Sequence, residues 1–331
     1  MISTGPFTPL ALGQDTSRPV PIERQVSVIT RREFARTVAA GLALPAVAGR
    51  WVFASPVGGV RLGVQSYSFR EIAKVGSADA LGIIISSMKA CGVDECELWS
   101  PQIELAPPVP RATGAEQERG RDALRAWRRA TKLDYYEDIR KKFAAAGMTV
   151  YAYNYSFLDY FTDDEIELGF NAAKALGAEV ITASTTVTMA RRVVPFAEKH
   201  KMSVAMHNHS QVDEPNEFAT PRSFETALAM SPLYRMNLDI GHFTAADYNA
   251  LDFLQSHRDR ITNLHLKDRK KHQGANVPWG TGDTPIKEAL AWLKQNKSPI
   301  RAYVEYEYPG TKGAVAEVQS CVDYAKRALT A

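Results

Sequence analysis

From about residue 58 onward, short β-branched runs alternate with longer segments of helical period. That alternation is the pattern of repeated strand–helix units. The strand-like runs fall at residues 60–66, 93–99, 148–154, 178–184, 202–207, 234–240, 261–267 and 300–306. Helical patterning is clearest over 78–90, 163–175, 285–294 and 313–329. Gly92, Gly147 and Gly177 follow helical segments directly, where a left-handed cap is usual. Eight strands with helices between them, spread over most of the chain, predict an α/β fold of the (β/α)8 or TIM-barrel type. A doubly wound sheet fits the count less well. One interval is long. It holds the Pro-rich run Ala106-Pro107-Pro108-Val109-Pro110 and then a charged stretch over 115–146. The charged stretch predicts one long solvated helix, and the Pro-rich run is either an insertion over the barrel mouth or a plain connection.

The first fifty residues follow a different pattern. Arg31-Arg32 precedes Phe34, residues 37–48 carry no charge, and Ala46-Val47-Ala48 ends the apolar run. A basic start, an apolar stretch and a small-x-small end are the parts of a secretory signal. A membrane span would need about 20 residues. The paired arginines point to the twin-arginine export route. The expectation is a signal segment and linker over 1–50, a single barrel domain over 58–331, and a periplasmic or secreted mature protein not held in a membrane.

Composition adds limits. The chain has 331 residues, 45% of them hydrophobic and 23% charged, as in ordinary globular proteins. Its formal net charge is +3. Residues 1–50 hold six basic and three acidic side chains, so the body is formally neutral. A neutral body lacks the excess positive charge of a phosphate-backbone binder. Three scattered cysteines make no disulfide framework and no zinc knuckle.

In a barrel of this type chemistry sits at the C-terminal ends of the strands. The fifth predicted strand ends in His207-Asn208-His209, the sixth in Asp239-Ile240-Gly241-His242, the seventh in His265-Leu266-Lys267-Asp268, and the eighth runs into Glu305-Tyr306-Glu307. His207, Asp239, His265 and Glu305 would converge as two imidazoles and two carboxylates. Such a set suits one divalent ion, Mn²⁺, Co²⁺, Zn²⁺ or Mg²⁺, with no thiolate involved. Glu307 falls on the same face further out, as support or rim. His200 and His257 lie on predicted helices and are expected at the surface, and His272 in a solvated basic turn.

These stretches, with the Gly280-Thr281-Gly282-Asp283 turn and Val304-Glu305-Tyr306-Glu307, resemble the sugar phosphate isomerase/epimerase family, the xylose-isomerase-like barrels. The resemblance covers roughly residues 60–328. It implies one divalent metal held by side chains at successive strand ends. In the family's epimerases, glutamates on strands five and eight move a proton on opposite faces of the substrate. Here strand five carries His207 instead, and His-x-His at that place resembles the inosose dehydratase branch. The resemblance therefore implies proton abstraction α to a carbonyl of a sugar, with Glu305, His207 and Lys267 catalytic. His242, His209, Glu97 and Trp99 are expected as substrate contacts, Trp99 serving equally well as core. Isomerisation or epimerisation and elimination from a keto-inositol or 3-keto-glycoside both remain open, beside a non-catalytic sugar-binding barrel. An endonuclease for abasic DNA shares the barrel but needs more metal ligands and a basic face. The expected partner is a small sugar, with homo-oligomers left open and nucleic acid excluded.

Overall fold

Each strand pairs in parallel with the next in sequence, and the eighth returns to the first, closing a barrel of eight strands. The strands are β1 Leu62–Gln65, β2 Glu95–Trp99, β3 Thr149–Asn154, β4 Val180–Ala183, β5 Ser203–His207, β6 Tyr234–Asp239, β7 Ile261–Leu266 and β8 Arg301–Val304. The computed structural model describes residues 56–110 and 114–331. The expected signal segment lies outside those residues.

The helices are α1 Ala80–Cys91, α2 Ala115–Ala130, α3 Leu133–Ala145, α4 Asp163–Leu176, α5 Val187–His200, α6 Pro221–Leu228, α7 Ile240–Ala245, α8 Ala250–His257, α9 Ile286–Gln295 and α10 Ala314–Thr330. Strands buried on both faces read as apolar runs because helices cover the outside and side chains fill the inside. Gly177 closes α4 in the left-handed conformation at φ 74°, as the sequence suggested.

Two expectations are corrected. The single long helix over 115–146 is two helices, because Thr131 and Lys132 are extended (ψ 123° and 159°). The break lets each piece pack separately. α3 buries Tyr136, Ile139 and Phe143, whereas α2 buries only Arg128. Arg128 bridges Glu104, at 2.7 Å from Nε, and Glu165, at 3.1 Å from Nη1. Glu165 also closes the capping box of α4 through the backbone N–H of Thr162. One carboxylate thus starts α4 and ties α2 to it. The second correction concerns His200, which is buried rather than on the surface. Its ring stacks on Phe170 at 5.1 Å and its Nε2 lies 3.0 Å from Glu167.

Inside the barrel, Tyr151, Ala152, Val180, Ala205 and Tyr303 form a separate apolar cluster toward the N-terminal ends of the strands. Above it the interior turns polar. Register shifts occur between Cys96 and Glu97 and between Met236 and Asn237, immediately before two of these polar positions. Irregularities of this kind re-aim the side chains that follow them.

Candidate active site

The polar interior is built around Glu97. Its Oε1 accepts hydrogen bonds from Gln65 Nε2 at 2.8 Å, Asn154 Nδ2 at 3.1 Å, Thr182 Oγ1 at 2.6 Å and Asn237 Nδ2 at 3.2 Å. Its Oε2 accepts from Asn263 Nδ2 at 3.0 Å and lies 2.7 Å from His265 Nε2. Six groups from β1, β3, β4, β6 and β7 therefore point at one buried carboxylate. Glu97 was expected to line the substrate pocket. It lies beneath the cavity instead, with both oxygens occupied. Its role there is to hold His265, since a carboxylate on one ring nitrogen leaves the other nitrogen free to ligate.

One layer higher, His207, Asp239, His265 and Glu305 each offer one ligand atom, and the four atoms lie within 4.8 Å of one another. His207 Nε2 is 3.5 Å from Asp239 Oδ2 and 3.9 Å from Glu305 Oε2, and His265 Nδ1 is 2.9 Å from Glu305 Oε2. These same four atoms are buried and make no directed hydrogen bond. Ion pairs with Lys267 and His265 offset the charges on Asp239 Oδ2 and Glu305 Oε2, but the group lacks the directed hydrogen bonds that buried polar atoms normally make. Nitrogen and oxygen ligands about 2.0–2.2 Å from a common centre lie at most about 4.4 Å apart, so a contraction of a few tenths of an ångström would bring this set onto one ion. The donor set fits a divalent metal ion on both counts.

Each ligand's other side is fixed by the chain. His207 Nδ1 lies 3.3 Å from Ser184 Oγ. Asp239 caps α7 by accepting from the backbone N–H of His242 at 2.7 Å, which turns Oδ2 toward the cluster. Asn208 holds the same residue by its backbone, donating to the Asp239 carbonyl at 3.1 Å and accepting from its N–H at 2.9 Å. Asp268 accepts from the N–H groups of Gly280, Gly282 and Thr284 at 2.7, 2.9 and 3.2 Å, so it organises the Gly-rich turn and is no ligand.

Lys267 supplies the positive charge. Nζ is 3.0 Å from Asp239 Oδ2 and 2.9 Å from Glu305 Oε2, and it donates to Glu307. A Cβ on Gly241 would run into the Lys267 stem and carbonyl, so glycine there lets the lysine lie against α7. Burial would lower the Lys267 pKa, but Asp239, Glu305 and Glu307 push it above the ordinary lysine range. Burial would raise Asp239, yet Lys267 and His242 hold it below the usual carboxylate range. Burial likewise opposes the shift of Glu305, which His265 and Lys267 keep well below normal. Burial would also depress His265, but Glu305 and Glu97 flank its two nitrogens and hold it well above ordinary histidine. His207 is lowered mainly by burial. His242 is lowered well below ordinary histidine by burial and by Lys267, whose Nζ is 3.1 Å from its Nε2.

His207, His265 and Glu305 line a cavity of about 230 Å³ that also takes in Tyr67, Trp99, Ser156, His209, His242 and Glu307. Pockets for drug-sized ligands run from about 300 to 1,000 Å³, so this one suits a compact polar molecule. His209 sits half-exposed at the rim with Nδ1 3.5 Å from Glu217. Trp99 packs edge-on against Tyr67 at 4.8 Å. Glu307 is on the rim, bonded to Lys267. Of the candidate site residues the sequence singled out, all but Glu97 and the fully buried Asp239 thus line one cavity. It missed Ser184, Asn208 and the ring of Gln65, Asn154, Thr182, Asn237 and Asn263. A signal for the last two was present. Asn237-Leu238-Asp239 and Asn263-Leu264-His265 place a polar side chain two positions before each ligand, on the same inward face.

Residues 112–324 match the model of the xylose isomerase-like TIM barrel family. The chain belongs to that family. Among curated relatives, this xylose isomerase-like barrel is 28% identical over 139 residues to L-ribulose-5-phosphate 3-epimerase UlaE of Salmonella paratyphi C, 40% of this chain and 49% of that protein. The chain thus spans about half the length of the curated relatives it matches. Among solved structures it resembles the IolI protein with a bound zinc atom, with TM-score 0.57 and 15% identity over 82% of this chain and 98% of that one. It also resembles the probable 3-DHS dehydratase AsbF of Bacillus anthracis, with TM-score 0.56 and 14% identity over 80% and 97%. At those identities the likeness shows the shared barrel alone.

Proposed function

We propose that this protein is a divalent-metal-dependent enzyme of the sugar isomerase/epimerase type that removes a proton α to a carbonyl of a sugar or keto-sugar. One observation carries the proposal. The candidate ligand atoms of His207, Asp239, His265 and Glu305 converge beside the Lys267 ammonium, and His207, His265 and Glu305 line the cavity. The zinc in the structurally similar IolI protein supports a metal at such a place. The epimerase activity named for the UlaE relative supports the substrate class.

His207, Asp239, His265 and Glu305 would hold the ion. When bound, it supplies electrophilic stabilisation of the negative charge that develops on the carbonyl oxygen. The remaining work falls to the chain. Glu305, ionised at neutral pH, accepts the α-proton as the C–H bond breaks, and the electron pair moves toward the carbonyl. Lys267, kept protonated by Asp239, Glu305 and Glu307, is the proton donor nearest that base. Glu97 fixes the ring of His265, and Trp99 and His209 border the sugar.

If the proton returns to the neighbouring carbon, the sugar is isomerised; if it returns to the opposite face, the sugar is epimerised. A second reading is elimination. Glu305 and Lys267 stand 2.9 Å apart on one wall. Base and acid on one side can remove the α-proton and protonate a departing oxygen. The dehydratase named for AsbF supports that alternative.

Deuterium uptake from deuterated water, followed by NMR over a panel of ketoses and keto-glycosides, tests the proposal. Wild type should label a carbon next to the carbonyl. Glu305→Gln should abolish labelling while keeping most of the metal, because the amide oxygen still coordinates but takes no proton. Undiminished labelling by Glu305→Gln would remove Glu305 as the base.

A further inference from the structure

The Pro-rich run and the helix after it have no part in the proton chemistry, yet they build a second cavity. It is about 350 Å³ and is lined by Trp99, Pro107, Val109, Leu124, Leu158 and Tyr160, among others. Trp99 and Ser156 line both this cleft and the metal-site cavity. The two spaces therefore adjoin across Trp99 and Ser156. Their chemistry differs. The inner cavity is walled by histidines, carboxylates and amides, whereas the outer cleft is walled by prolines, aliphatic side chains and aromatic rings.

Charge defines what can enter. Among the described lining residues of the two cavities, the only lysine or arginine side chains are Lys267 and Arg128. Lys267 is occupied by Asp239, Glu305 and Glu307. Arg128 is occupied by Glu104 and Glu165. A phosphate would need free, fork-shaped or ammonium donors, and these two cations are already matched by carboxylates. A ring-sized apolar group, in contrast, gains from leaving water and from contact with Trp99 and the aliphatic side chains of the cleft.

We infer that the outer cleft is a subsite for an apolar substituent, so that the substrate is an uncharged glycoside whose sugar sits at the metal site and whose aromatic aglycone lies between the Pro-rich run and α2. The inference rests on the proposed proton chemistry for the sugar half and on the cleft itself for the aglycone half. It gives the long segment between β2 and β3 a role. Arg128 pins α2 through Glu104 and Glu165, and Leu124 of α2 lines the cleft together with Leu158.

Calorimetric titration of the zinc-loaded full chain with phenyl and methyl 3-keto-β-D-glucosides, and with D-ribulose 5-phosphate, tests it. The phenyl compound should bind at least ten-fold tighter than the methyl compound, and tighter than the phosphate. Leu124→Asp and Leu158→Asp should bring the phenyl-to-methyl ratio near one with melting temperature preserved. Equal binding of the two glycosides by wild type, a ratio unmoved by both substitutions, or tighter binding of the sugar phosphate would overturn the subsite. Deuterium exchange into the methyl compound separates the two claims. Exchange without phenyl preference defeats the subsite alone. Phenyl preference without exchange in any keto-sugar defeats the proton chemistry and leaves the subsite standing.

Discussion

Nε2 of His265 lies 2.7 Å from Oε2 of Glu97, and that contact decides which nitrogen His265 turns toward the other ligands. Every other group on Glu97 is a donor as well. Glu97→Gln would set an amide N–H₂ against donors in either orientation. Metal affinity, measured by competition with a chromogenic chelator, should fall about 10–100-fold. Unchanged affinity would mean that His265 is oriented by something other than Glu97.

Lys267 is the counter-charge to Asp239, Glu305 and Glu307. Removing one partner of a buried ion pair costs about 3–5 kcal/mol. A bound cation would take over part of that compensation. Lys267→Met should therefore lower the melting temperature of metal-stripped protein more than that of metal-loaded protein, and it should abolish turnover. Equal losses with and without metal would show that Lys267 and the metal do not share the same carboxylates.

Glu165 gives a pH signature away from the site. Burial raises its pKa, but the Thr162 N–H, Arg125 and Arg128 outweigh burial and hold it below the usual value. A carboxyl with a depressed folded pKa stabilises the fold above its unfolded pKa of about 4.3, and that stability is lost as pH falls through the lower folded value. Glu165→Gln should be less stable than wild type at pH 7 by about 1–3 kcal/mol. Denaturant titrations should show that gap closing as pH falls below about 4.3. A gap constant down to pH 3 would contradict the assignment.

The barrel was legible because the strands are short, mostly apolar runs separated by helical patterning and turn residues, and all eight fall within the predicted runs. The four candidate ligands were legible because strand ends are where this architecture exposes polar groups. Glu97 was misplaced for a physical reason. It is 168 residues from His265 in sequence, and nothing local tells a pocket wall from a pocket floor. The split of α2 from α3 was hidden because Ala130-Thr131-Lys132-Leu133 contains neither glycine nor proline. Tertiary packing of Tyr136, Ile139 and Phe143, not local propensity, rewards the break. His200 was misread because its helix shows a polar face in sequence while Phe170 supplies a stacking partner from the neighbouring helix.

Export is expected to depend on the arginine pair in the first fifty residues. Replacing both Arg31 and Arg32 with lysine should retain the protein in the cytoplasm, read by fractionation and immunoblot. Undiminished protein outside the cytoplasm would remove the twin-arginine assignment.

The central claim joins the metal ligands to proton abstraction, and stripping and restoring the metal tests that link directly. Deuterium incorporation next to the carbonyl is followed by NMR with untreated protein, with chelator-stripped protein, and with stripped protein given back Zn²⁺, Mn²⁺, Co²⁺ or Mg²⁺. Incorporation should cease on stripping, return with at least one of the four ions, and fail to return in Asp239→Ala or His265→Ala. Incorporation that continues at the untreated rate after the metal content has fallen to background would contradict the account.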